Sequence, residues 1–162
     1  MKAVLCRAYG PPEQLDFAEV ETPIPSAGQI IIAVKACAVN FPDTLIIQGK
    51  YQYQPPLPFS PGTDVSGVVQ ALGADVEGLK VGDRVVALVP HGGYAEAVAC
   101  DARAATLIPD SVDFVSAAAF LLTYSTAYHA LVDRADIHPG ETSSTLGWVF
   151  HKSNRLRTAV SI

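Results

Sequence analysis

Pro61-Gly62-Thr63-Asp64-Val65-Ser66-Gly67-Val68-Val69 is the stretch around which the rest of the chain organises. Its valines favour extended backbone. Gly62, Gly67 and the following Gly73 sit in or beside the same strand, where glycine marks a tight bend or the close approach of another backbone. Downstream, Val81-Gly82-Asp83-Arg84-Val85 is a turn feeding the apolar strand Val85–Val89, and His91-Gly92-Gly93 is another turn. Tyr94 to Ala99 alternates with period two, and Ala105 to Ile108 is a last short strand. Upstream, Lys50 to Ser60 holds three prolines and two tyrosines, which predicts an ordered loop rather than a central strand.

The same logic extends to the N-terminus. Gln29 to Ala38 is rich in Ile, Val and Ala and predicts a deeply buried strand. Leu15 to Glu21 alternates and predicts a half-buried one, and Lys2 to Tyr9 is a short apolar strand. Between strands, Asn40 to Gly49 predicts a short helix. Pro42 is tolerated in its first turn, and Gly49 can close it in a left-handed conformation. Beyond the last strand, Pro109-Asp110-Ser111 opens a helix capped by Ser111 or Asp110, with Phe114, Ala118, Leu121 and Leu122 on its apolar face. A second helix is expected from about Thr126 to Arg134. Many short strands, one small helix and then helices at the end describe a β-barrel or curled sheet with a helical exit.

Composition narrows the function classes. The 162 residues are 49% hydrophobic and 17% charged, enough for a packed core. A net charge of −5, with no basic stripe interleaved with aromatics, argues against a nucleic-acid surface. Val115 to Val132 carries no formal charge apart from His129, but Ser, Thr, Tyr and Ala interrupt it, and Asp113 and Asp133 bound it. It reads as a buried helix pair rather than a membrane span. Cys6, Cys37 and Cys100 are widely spaced, with no C-x-x-C pair, and read as buried free thiols of a cytoplasmic protein. No Ser/His/Asp hydrolase signature is present, and His129 reads as structural.

Several motifs carry a family resemblance. Asn40-Phe41-Pro42-Asp43-Thr44 with Gln48-Gly49-Lys50-Tyr51, the Pro61–Val69 stretch, Val81–Val85, and Thr123-Tyr124-Ser125-Thr126-Ala127-Tyr128-His129-Ala130-Leu131 occur in one order. Together they resemble the quinone oxidoreductase (zeta-crystallin-like) branch of the zinc-independent medium-chain dehydrogenase/reductases, over residues 1–141. The resemblance implies a mainly β, partly open barrel of GroES-like fold with C-terminal helices. It implies a catalytic domain over 1–122, a helical connection over 123–141, and an atypical tail over 142–162. Family members pack this barrel on a Rossmann domain that binds NADPH, and pass hydride to a quinone or an enone-like carbonyl compound.

The resemblance also assigns candidate residues. Asn40 stands where zinc-dependent relatives carry a catalytic cysteine; its amide is a candidate to orient the nicotinamide or a substrate carbonyl, beside the plain role of helix N-cap. Tyr51 matches a pocket tyrosine that could bond a quinone oxygen, against the alternative of packing among prolines. Thr126 matches a threonine near the nicotinamide, against the alternative of a hydroxyl at a helix start. Leu45 departs from a tyrosine that some members carry. Zinc-dependent relatives have Gly-His-Glu where this chain has Gly62-Thr63-Asp64, so no metal is expected. Asp43 is expected in the first turn of its helix and Asp64 bonded to backbone near a turn, not as a catalytic pair.

The chain changes character after Glu141. All 16 acidic residues lie in residues 1–141, while Lys152, Arg155, Arg157 and the only Trp, Trp148, lie beyond. Dinucleotide binding needs a strand, a Gly-x-Gly-x-x-Gly turn and a helix N-terminus. Thr142-Ser143-Ser144-Thr145-Leu146-Gly147-Trp148 offers one glycine, so no dinucleotide-binding fingerprint is expected in these residues and the Rossmann domain is expected to be absent from this chain. The tail resembles a frameshifted, alternatively spliced or wrongly assigned end. Little NADPH binding or turnover is expected of this chain alone. Apolar helix surface left without that domain favours self-association, unless Leu146, Trp148, Val149 and Phe150 cover it. A non-catalytic interaction domain and an enoyl reductase-like fragment are the other readings.

Overall fold

The ten residues Gln29–Ala38 form β3, the strand on which the sheet is built. Ile30, Ile31 and Ile32 are all at most 2% exposed, as the unbroken apolar run predicts for a strand covered on both faces. The computed structural model describes residues 1–141 together with the segments 143–146 and 149–152. In chain order, β1 (Lys2–Leu5) and β2 (Asp16–Glu19) precede β3. Helix α1 (Phe41–Ile46), β4 (Asp64–Leu72), β5 (Arg84–Leu88), β6 (Ala97–Asp101), β7 (Ala105–Leu107) and helix α2 (Phe114–Tyr128) follow it.

Five strands make an antiparallel sheet in the order β6-β3-β4-β5-β7. The β3–β4 register shifts twice, between Ile31 and Ile32 and between Val34 and Ala36. Such irregularities bend and twist a strand, which curls the sheet. β1 pairs with β2 and also reaches the turn before β6: the Val4 N–H donates to the Tyr94 carbonyl at 2.8 Å, and the Glu96 N–H to the Lys2 carbonyl at 3.0 Å. Ile30, Ile32, Val65, Val69, Val85, Ala87, Val89, Val98 and Cys100 form the main core. A second core, Cys6, Ile46, Ile47 and Phe59, seats α1 over β1.

The glycine of the opening stretch has a physical reason. A Cβ on Gly67 would lie 2.1 Å from the Ala33 carbonyl oxygen and 2.8 Å from Ile32 Cγ2, so β3 and β4 approach too closely there for any side chain.

Three expectations are corrected. β2 is an edge strand paired only with β1, and Phe17 is 69% exposed, so its alternation does not mark a half-buried face. Asp113, not Ser111 or Asp110, caps α2: its carboxylate accepts the Ser116 N–H at 2.8 Å, and the Ala117 N–H donates to its carbonyl at 3.0 Å. The expected buried helix pair is one element. No Pro or Gly interrupts residues 114–134, and α2 runs into a π-helical turn over His129–Arg134. Only Ala117 and Ala118 of α2 are buried. By length and composition Phe114–Arg134 would suffice to cross a membrane.

The chain divides into two compact units, Met1–Leu122 and Thr123–Ile162. In the second, the His129 ring bonds the Asp133 carboxylate one turn on at 2.8 Å, the structural role expected of it. The tail, expected to lack a patterned element, contains an antiparallel hairpin of β8 (Ser143–Leu146) and β9 (Val149–Lys152). The side chains proposed to cover apolar surface, Leu146, Trp148, Val149 and Phe150, lie outside the described residues.

Candidate functional site

Asn40 ends the β3 connection in an extended conformation (φ −116°, ψ 160°) and is the N-cap of α1. The cap works through Asp43: the Asn40 N–H donates to Asp43 Oδ2 at 2.8 Å. An acidic residue three positions after the cap answers the exposed N–H groups and the positive helix end. The Asn40 side chain faces the Asp43 backbone as the other half of a capping box, and its amide nitrogen makes a second link. Its Nδ2 donates to Asp64 Oδ2 at 2.7 Å, bridging α1 to the first residue of β4.

The two carboxylates, expected to be separate local features, are therefore parts of one buried cluster. Asp43 is 3% exposed and Asp64 1%. The Tyr94 hydroxyl donates to Asp43 Oδ2 at 3.1 Å from the turn before β6. Cys37, from β3, completes the group. Gly62 (φ +90°) and Gly93 make room for it: a Cβ at either would come within 3 Å of the Cys37 sulfur. Asp43 Oδ1 and Thr63 Oγ1 are buried without hydrogen-bond partners.

Electrostatics follow from this crowding. Burial pushes Asp64 up to about 6, opposed by the Asn40 amide and the Leu122 backbone N–H and assisted by Asp43. Burial also raises Asp43, against the hydrogen bonds from Asn40 and Tyr94. Cys37 is pushed up to about 12, first by burial and then by the two carboxylates, so its thiol keeps its proton. Tyr94 is raised for the same reasons. The site is thus a protonated thiol, a phenol and two carboxyl groups that resist being charged together.

The other candidates lie elsewhere. Tyr51 packs against the Cys6, Ile46, Ile47 and Phe59 cluster beneath α1. Thr126 lies well inside α2, not at a helix start, and belongs to the second unit. Leu45 is half-buried on α1. The link from Asn40 to Asp43 has a sequence signal in the cap-to-third-position spacing. The links to Asp64 and Tyr94 span 24 and 51 residues and have none. Among the described residues no three His, Cys, Asp or Glu side chains are placed to hold a metal.

Comparison with known proteins agrees with this architecture. Residues 26–110 match the alcohol dehydrogenase GroES-like domain. Quinone oxidoreductase of Homo sapiens is 39% identical over 144 residues, which cover 88% of this chain and 44% of that protein. The crystal structure of human synaptic vesicle membrane protein VAT-1 homolog-like protein matches with a TM-score of 0.85 and 38% identity, over 87% of this chain and 46% of that one. Escherichia coli quinone oxidoreductase complexed with NADPH matches with a TM-score of 0.77 and 33% identity, over 83% and 41%. The chain spans less than half the length of each of these relatives. The match covers the N-terminal part of these relatives, and the chain belongs to the alcohol dehydrogenase GroES-like domain family, within the medium-chain dehydrogenase/reductases that include the quinone oxidoreductases.

Proposed function

We propose that this chain is the barrel domain of a zinc-free, NADPH-dependent oxidoreductase acting on a quinone or a similar electron-poor unsaturated carbonyl compound. The observation that carries the proposal is the half-buried Asn40 amide, held by a buried carboxylate at the N-terminus of α1. NADPH, when bound, supplies the hydride. Asn40 orients the nicotinamide end or the acceptor carbonyl through its amide. Tyr51 offers a hydroxyl to an acceptor oxygen; Thr126 is a nicotinamide candidate on the family resemblance alone.

The described residues fit only that end of the cofactor. Both α-helices already carry an aspartate at their N-termini, Asp43 on α1 and Asp113 on α2. A pyrophosphate would meet negative charge at either one, where a dinucleotide fold offers free N–H groups. Weak NADPH binding and little turnover by this chain alone follow. Zinc fits no better by donor chemistry, because Asn40, Thr63 and Asp64 stand where zinc-dependent relatives offer cysteine, histidine and glutamate. Three unpaired cysteines accord with a reducing cytoplasm.

Purified chain mixed with NADPH and a quinone tests the proposal by the absorbance of the reduced nicotinamide. Slow oxidation above the enzyme-free rate, lost in Asn40→Ala, is expected; no quinone-dependent oxidation either alone or after joining to a cofactor-binding domain overturns the proposal, and turnover at the rate of whole enzymes overturns the need for that domain. A second reading, an interaction domain that binds another copy of itself, draws on the exposure of Val115 (71%), Phe120 (55%) and Tyr128 (62%). A stable dimer on size exclusion with no NADPH affinity would favour that reading.

A further inference from the structure

Asparagine has two nearly isosteric orientations of its amide, and they present opposite polarity to whatever approaches. A site that uses Asn40 must therefore specify which end points where. Three features of the structure bear on this choice. Asp64, the Asn40 partner, is 1% exposed on β4, so no solvent competes for its oxygen. The contact is short, 2.7 Å from Nδ2 to Oδ2, as expected for a hydrogen bond to a carboxylate. Besides Asn40, the donor bearing on this buried carboxyl is the Leu122 backbone N–H, so little else competes with the Asn40 amide for it. The Asn40 backbone is held separately by Asp43, which in turn accepts from Tyr94. Asp43 thus fixes the main chain of Asn40 and takes part in its capping box, while Asp64 holds the NH2 end of its side chain.

We propose that Asp64 is a positioning residue: it holds the Asn40 amide with its NH2 group toward β4, and so sets the polarity that Asn40 offers to a ligand. The proposal rests on the assignment of Asn40 to the nicotinamide or carbonyl site. A carboxylate can only accept, so an ionised Asp64 forbids the flipped amide, which would set oxygen against oxygen. An asparagine at position 64 can accept or donate and forbids neither orientation. Asp64 is the wrong residue for simple stability, since a buried carboxylate costs desolvation free energy that a neutral amide avoids.

The test is the side-chain NH2 resonance of Asn40 in 15N-labelled protein, assigned by its loss in Asn40→Ser. In the wild type one Nδ2 proton should be shifted downfield and protected from exchange. Asp64→Asn should remove the shift and speed exchange about tenfold, the loss of one charge-assisted bond. Asp64→Glu, which keeps a carboxylate, should restore it. A mutation-free arm guards against misfolding. Acidification should move the same resonance as Asp64 protonates, with Asp43, Cys37 and Tyr94 the other titratable groups facing it. Asn40 resonances unchanged in both Asp64→Asn and the acid titration overturn the proposal. The two ideas fail separately: the positioning role is decided by the Asn40 resonance without any ligand, while the assigned site fails if Asn40→Ala leaves quinone turnover unchanged once these residues are joined to a cofactor-binding domain.

Discussion

Replacing Asp64 by asparagine should stabilise the protein at neutral pH and flatten part of its pH profile. Asp64 lies at about 6 in the folded protein against an ordinary 3.8, mainly because burial penalises its charge. The folded state therefore binds this proton more tightly than the unfolded chain does. Below 3.8 the group is protonated in both states and costs nothing. As pH rises from 3.8 to 6 the unfolded chain releases the proton first, so stability falls; above 6 the loss is complete. At about 1.4 kcal/mol per pH unit, the gap amounts to roughly 3 kcal/mol. Asp43 is raised in the same direction and shares the titration, so the wild-type slope belongs to the pair. Urea unfolding of both proteins between pH 4 and pH 8 should show Asp64→Asn gaining up to about 3 kcal/mol at pH 8 and little near pH 4. A variant that is less stable at pH 8, with a wild-type pH slope, would refute the reasoning. The expected result has a functional meaning, because the protein would be keeping a costly carboxylate beside Asn40.

Gly67→Ala should destabilise by about 3 kcal/mol or more in urea, since the new methyl meets the Ala33 carbonyl, which cannot move without displacing β3; a loss below about 1 kcal/mol would contradict the close approach. Ile32→Ala should cost about 2–5 kcal/mol as a fully buried core truncation, whereas Phe17→Ala on the exposed β2 edge should stay within about 0.5 kcal/mol. Cys37, pushed up to about 12, should resist a thiol reagent at pH 8 in the native protein and react on unfolding; native labelling at the rate of a free cysteine would show the cluster to be open.

Much of the fold was legible because it rests on local chemistry. The Ile- and Val-rich run at 29–38 could only be a buried strand, and the glycines at 62 and 67 announced close approaches that the structure shows. Asn40 and Asp43 stand three apart, so their capping relation could be read directly. Asp64 and Tyr94 could not be joined to them from sequence, because a strand's curl, not its composition, brings those side chains together. The helices misled for a different reason. Polar Thr123-Tyr124-Ser125-Thr126 resembles a break, yet none of these residues prevents helical hydrogen bonding, and α2 continues through them. The alternation at 15–21 looked like burial but marks an edge strand with little above it.

The central proposal is that residues 1–141, a barrel and its helical connection, come from an oxidoreductase whose cofactor is held mainly by another domain. Joining these residues to the cofactor-binding half of human quinone oxidoreductase, and following NADPH oxidation by a quinone, tests it most directly. The chimera should bind NADPH and turn over, the unjoined chain should turn over only slowly, and Asn40→Ala in the chimera should cost at least about tenfold in kcat/KM. A folded chimera that binds NADPH but passes no hydride to quinone, or one indifferent to Asn40→Ala, would contradict the account.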